Sequence, residues 1–237
     1  MLFKQKNSNL FGSNTVIDIN RNIKLKSITI KISKNYIKIT MPFFITNKNI
    51  NDLLKKKFNW IKKQLLIQQD IQPLINKEYT DNEKFKFLGK DYKLNIIKGI
   101  RYSVKIENDL LVVVVKDTEN IIKIKRLIQK WFNEKSLLYF QEKTFLYAKK
   151  NNLEFSSIKV RNYKARWGSC SINGDITFNW RLIMAPPKII EYVIIHELVH
   201  LIEHNHSPRY WEQVKKIYPD IDQAKNWLIS NGKTLNI

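Results

Sequence analysis

Short alternating runs of apolar and polar residues open the chain. Thr15 to Ile19, Ile23 to Ile32 and Tyr36 to Met41 put apolar side chains on every second position, the period of a strand with one buried face. From Asn47 to about Gln69 the period lengthens. Leu53, Leu54, Phe58, Ile61, Leu65 and Leu66 recur at helical spacing, lysines fill the other side, and Gln72-Pro73 closes the helix. Strand signals return at Phe85 to Leu88, Tyr92 to Ile97, Tyr102 to Ile106 and Leu110 to Val115. Turns at Gly89-Lys90-Asp91 and Glu107-Asn108-Asp109 separate them. No glycine/serine linker and no convincing internal repeat divides these pieces. Residues 1–116 thus read as an antiparallel β region with one helix.

A long amphipathic helix is expected from Asp117 to about Asn151, with Ile121, Ile124, Leu127, Ile128, Trp131 and Phe132 on its apolar face. A strand around Ser157 to Val160 and the run Arg166-Trp167-Gly168-Ser169-Cys170 follow. Asn173-Gly174 is a hairpin signal. The strand after it, Ile176 to Ile183, would carry Thr177, Asn179 and Arg181 on a polar face, a candidate substrate-binding strand. Pro186-Pro187 then starts an apolar helix. Residues 117–237 read as a mainly helical unit, and the fold class is α+β.

The formal net charge of +21 raises nucleic-acid binding as a function. Composition argues against favouring it. Only seven of the 42 basic residues are arginine, and the lysines are spread along a chain rich in isoleucine and asparagine, as an AT-rich coding sequence would impose on any soluble protein. The longest apolar run, Leu110 to Val115, is too short to span a bilayer. The first residues lack the continuous apolar core of a signal peptide, and the single Cys170 cannot form an internal disulfide. A cytoplasmic protein without membrane partners is expected.

The chemistry gathers in PKIIEYVIIHELVHLIEHNH, residues 187–206. All four histidines lie there. His196 and His200 are four apart, so a helix places both imidazoles on one face, where they can share a zinc ion. Glu197 projects about a quarter turn away, near the open coordination position, and would take a proton from a water that the metal acidifies. Ile189, Ile190, Val193 to Ile195, Leu198, Val199, Leu201 and Ile202 wrap the helix on nearly every side. Polar groups inside such a helix need partners, and one metal would satisfy them together. The third ligand is expected to be His206, which requires the helix to end first. Asn205 can close it in the left-handed conformation, and Ser207-Pro208 reads as an N-cap and first-turn proline of a next helix reaching about Tyr218. Glu203 is the second choice, Glu212 and His204 also compete, and His204 projects roughly 80° off the ligand face.

These residues, from Arg166-Trp167-Gly168-Ser169-Cys170 through Asn179-Trp180-Arg181-Leu182, Ala185-Pro186-Pro187, Tyr192-Val193, His196-Glu197-Leu198-Val199-His200 and Asn205-His206-Ser207 to Tyr210-Trp211, resemble the YgjP-like metallopeptidases. These are zincins similar to the SprT-like and WLM-type proteases. The resemblance implies one Zn2+ at His196, His200 and His206 with Glu197 catalytic, a peptide or protein substrate, and one continuous family domain over both regions. Tyr210 stands where the family usually has phenylalanine. Glu203 stands where the metzincins, which share the spacing of the third histidine, have glycine. Arg166, Arg181 and Tyr163 are candidates for stabilising an oxyanion, and Asn179, Arg181 and Arg166 for binding substrate. Two other readings stay open: a nucleic-acid-associated protease, and a non-catalytic module that zinc only stabilises.

Overall fold

The computed structural model describes residues 3–5, 15–33, 36–65 and 77–237. The chain forms two compact units, residues 1–74 and 75–237. The strands between 75 and 116 therefore belong with the helix that carries His196, whereas the sequence reading set its boundary at 116/117.

In the first unit, β1 (Phe3–Gln5), β2 (Val16–Asn22), β3 (Thr29–Ser33) and β4 (Tyr36–Pro42) form one sheet in the order β1-β2-β4-β3. Helix α1 (Asn47–Lys56) follows, capped by Thr46, whose hydroxyl accepts from the Asn49 backbone N–H. A second helical stretch, α2, is described over residues 58–65; the rest of the expected helix and its Gln72-Pro73 stop lie outside the described residues. Ile17, Ile37, Ile39, Met41, Ile50, Leu54, Ile61 and Leu65 make this unit's core, which are the alternating and helical apolar positions of the sequence.

The second unit begins with β5 (Lys84–Phe87), β6 (Lys90–Lys98), β7 (Ser103–Glu107) and β8 (Leu110–Val115), ordered β5-β6-β8-β7. Neither sheet is purely antiparallel. β2 and β4 run parallel, as do β6 and β8, and the outer pairs are antiparallel. The two units thus repeat one plan: the same strand order, the same pairing senses, and a helix after the fourth strand. Side-chain pattern reports which face is buried but not which distant strand lies alongside, so the sequence showed no repeat.

Helix α3 (Ile121–Lys150) buries Ile124, Ile128, Trp131, Phe132, Phe140 and Ala148 along one stripe. Strands β9 (Ser157–Arg161), β10 (Gly168–Cys170) and β11 (Asp175–Asn179) form a third sheet with β11 central, parallel to β9 and antiparallel to β10. The Asn-Gly turn between β10 and β11 is present, with Gly174 at φ 78°. β11 ends at Asn179, and Trp180–Met184 form a 3₁₀ turn. Arg181 therefore shares no strand face with Thr177 and Asn179. The tip of the β5–β6 hairpin bonds to this turn, Leu88 N–H to Ile183 O at 2.8 Å and Gly89 N–H to Met184 O at 3.2 Å. That fixes the approach to α4 (Pro187–Val199). Helices α5 (Pro208–Ile217) and α6 (Ile221–Asn231) complete the unit. No helix among the described residues is long and apolar enough to cross a membrane.

Candidate metal centre

Nine residues of α4 are buried, on all sides of the helix, so the side chains it carries are held by packing rather than by solvent. His196 and His200 leave it from one face, their rings 5.2 Å apart. The helix stops at Val199, six residues before the predicted Asn205. Leu201 N–H bonds to Leu198 O and Ile202 N–H to Val199 O, the tight three-residue spacing that finishes many helices. Asn205 does not adopt the left-handed conformation. Its side chain instead accepts from Ser207 N–H at 3.1 Å, and Ser207 Oγ caps α5 by accepting from Tyr210 N–H. The turn over residues 200–207 delivers His206 back to the other two histidines.

One donor nitrogen from each of His196, His200 and His206 lies within 4.8 Å of the others. The Nε2 atoms of His196 and His206 are 3.2 Å apart. Two imidazole nitrogens on one tetrahedral zinc stand about 3.3 Å apart, given bonds of roughly 2.0–2.1 Å. The three histidines could thus hold a metal ion, and the His196–His206 spacing is that of two ligands on one zinc. Glu203, the second-choice ligand, is turned elsewhere: its carboxylate meets Arg209 Nε at 2.9 Å, and its carbonyl faces His200 Nδ1 at 3.0 Å. That contact makes Nδ1 of His200 a donor and leaves Nε2 for a metal. Glu212, His204 and Cys170 are not in the cluster.

Aromatic rings hold the three histidines in place. Tyr210, fully buried, stacks on His200 at 4.6 Å and stands edge-on to His206, and its hydroxyl donates to the His196 carbonyl at 2.8 Å. Trp211 stacks on His206 at 5.5 Å, and Lys225 Nζ lies 3.5 Å over the Trp211 ring. His196 Nδ1 is buried without a hydrogen-bond partner. Its ring is placed by Tyr192, Tyr210 and Trp211.

The electrostatics follow from burial. Desolvation, then the neighbouring His200, His206 and Lys225, bring the His196 pKa down to about 3. Burial also lowers that of His200. Both are neutral near pH 7, as metal ligands must be. Glu197 is buried, and desolvation pushes its carboxyl up to about 8, against the opposing charge of Arg166. It lines a cleft of about 390 Å³ with Arg166, Trp167, Gly168, Tyr192, Val193, His196, Lys225, Leu228 and Ile229. A carboxyl with this pKa beside the three histidines can exchange protons near neutral pH.

The other expected site residues, Asn179, Arg181, Arg166 and Tyr163, all line a cleft beside that of Glu197, and Arg166 lines both. Asn179 is buried, and its amide donates to the carbonyls of Tyr163 and Arg166, so it fixes the loop that carries Arg166. Arg166 is exposed, over the Tyr163 ring at 4.4 Å, and reaches the same cleft as Glu197. Arg181 and Tyr163 line a neighbouring cleft. Two contributors were missed as such. Gly168 passes so close to Glu197 that an added Cβ would lie 2.5 Å from Oε1. The hydroxyl of Tyr210 supports the ligand-bearing turn. The only sequence signal for either was its place in the motif.

None of the curated proteins matches the chain. Among solved structures, the metallopeptidase zymogen of Pyrococcus abyssi abylysin is similar at 19% identity and a TM-score of 0.36, over 39% of this chain and 93% of that one. That likeness is too slight to bear on the fold. The family model "YgjP-like, metallopeptidase domain" matches residues 26–231, across both units, and the chain belongs to the YgjP-like metallopeptidases.

Proposed function

We propose that the protein is a zinc-dependent peptidase in which His196, His200 and His206 hold one zinc ion and Glu197 is the general base. The observation that carries this is the 3.2 Å approach of two Nε2 atoms, with a third histidine beside them and the buried Glu197 carboxyl on the same cleft. When bound, zinc would supply Lewis-acid polarisation of the scissile carbonyl and acidify water. Glu197 takes the proton of the attacking water and passes it to the leaving amine, and its low-polarity surroundings make its carboxylate a stronger base. Arg166, which lines the same cleft as this carboxyl, is the candidate for countering charge on the carbonyl oxygen. β10 is an edge strand of its sheet and passes beside Glu197, so an extended peptide laid along it would bring a backbone carbonyl to the centre.

The test is metal analysis of the purified protein and of its Glu197→Gln variant, with cleavage assays on unfolded protein and peptide libraries. Both should carry one zinc per chain, and the variant should lose about 10³-fold in kcat. Equal inertness of the two, both zinc-loaded, would leave zinc a structural role only.

A further inference from the structure

A second cleft, of about 580 Å³, adjoins the catalytic one and shares Arg166, Trp167, Leu228 and Ile229 with it as a common wall. Its charge sets it apart. Beyond Arg166 it brings in Lys164, Arg181 and Lys233, and no aspartate or glutamate lines it. None of these four cations has a carboxylate at ion-pairing distance among the described residues. Arg181 is half-buried and held by neutral groups: Nε donates to Asn236 Oδ1 at 3.1 Å, Nη1 to Asn162 Oδ1, and the guanidinium lies 4.8 Å over the Trp180 ring. A partly desolvated cation fixed by amides keeps its full charge and gains from an arriving anion.

We propose that this cleft is a subsite for an acidic stretch of the substrate, where aspartate or glutamate side chains meet Lys164, Arg181 and Lys233 while the scissile bond lies at Glu197. The inference rests on the peptidase reading above. The two clefts adjoin at their shared residues, so one extended chain with its scissile bond at Glu197 would reach the second with its flank. Nucleic acid fits less well. Single strands are bound by stacking bases on open aromatic faces, but here Arg166 covers Tyr163, and Trp167 packs against Gly232, where an added Cβ would lie 2.8 Å from Cζ2.

The experiment measures binding of labelled peptides to the zinc-loaded Glu197→Gln protein at physiological salt. The peptides share one core and carry four glutamates, four glutamines or four lysines on either side of it. On one side the glutamate flank should bind about tenfold tighter than the glutamine flank. Lys164→Gln/Lys233→Gln should reduce that preference to within about twofold. Lys135→Gln/Lys149→Gln, an equal charge change on α3, should leave the preference in place. Three results would overturn the subsite: no preference, equal loss from both double variants, or an oligonucleotide of equal charge that binds tighter and loses affinity through the cleft lysines. Binding is read apart from cleavage. If the preference and its loss are seen while the wild type leaves every peptide intact, the peptidase reading alone has failed.

Discussion

Gly168 lies where β10 crosses the carboxylate of Glu197, and a methyl group there would sit 2.5 Å from Oε1 and 2.7 Å from Cγ. Either the carboxylate or the strand must give way. Gly168→Ala is expected to lower kcat about 100-fold, as misplacing a catalytic group by about an ångström does, while zinc content by metal analysis stays at one per chain. An alanine enzyme of full activity would show that Glu197 is not held where the reaction needs it. The sequence pointed to the grouping of the three histidines more readily than to this contact. His196, Glu197 and His200 are related by helix geometry alone, and His206 by the Ser-Pro start of the next helix. The glycine's role depends on an approach between segments almost thirty residues apart, which no local pattern records. Asn179 carries a contact that the sequence did not show: its amide donates to the backbone carbonyls of Tyr163 and Arg166.

At the scale of elements, α4 depends on its neighbour for a proper ending. The Tyr210 hydroxyl, from α5, donates to the carbonyl of His196, within the last turn, where carbonyls lack helical partners. Tyr210→Phe should lower unfolding stability by about 1 kcal/mol, the worth of one such bond, seen as a drop in Tm, with zinc affinity and activity little changed. A large loss of zinc would mean that the hydroxyl also governs ligand geometry. The positions of α3, α4 and α5 were legible, and so were the starts of α4 at Pro187 and of α5 at Ser207-Pro208, but the end of α4 was not, and α6 was not foreseen. Asn205 carried the expected stop signal, while the observed stop at Val199 arises from three-residue hydrogen bonds in an apolar sequence. The strands at 85–88, 92–97 and 110–115 were equally visible, but their pairing was not. Short links such as residues 99–102 suggest adjacent antiparallel strands. Here the link crosses the width of one strand, and β8 fills the gap.

For the whole molecule, burial of Glu197 ties stability to pH. Its folded pKa of about 8 stands above its ordinary value of 4.5, so the folded state holds the proton more tightly. This contribution is complete below about pH 4.5 and is lost as pH rises through 8. Glutamine does not ionise. Metal-free wild type should therefore lose stability relative to Glu197→Gln between about pH 5 and 9 in denaturant titrations, and a gap that stayed constant would contradict the burial argument. His196 shifts in the opposite direction but is common to both proteins. On the proposed zinc reading, the metal would bind only the folded site and should slow hydrogen exchange in α4 and α5, and a chelator should reverse this without changing β2, β4 or α1, whose core is separate. Equal effects in both units would show the metal acting beyond its own core.

The strand plan used twice in this chain creates a sorting problem during folding. β3 pairs antiparallel with β4 and β7 with β8, with Ser33 opposite Tyr36 and Glu107 opposite Leu110. Backbone geometry alone would let either pair dock on the other's parallel partner. Side chains must discriminate. β8 is an unbroken LLVVVV run, buried at four of six positions, and β4 alternates lysine and threonine with isoleucine. Placing β8 on β2 would strand its second apolar face, so the uninterrupted valines act as an address label as much as a core.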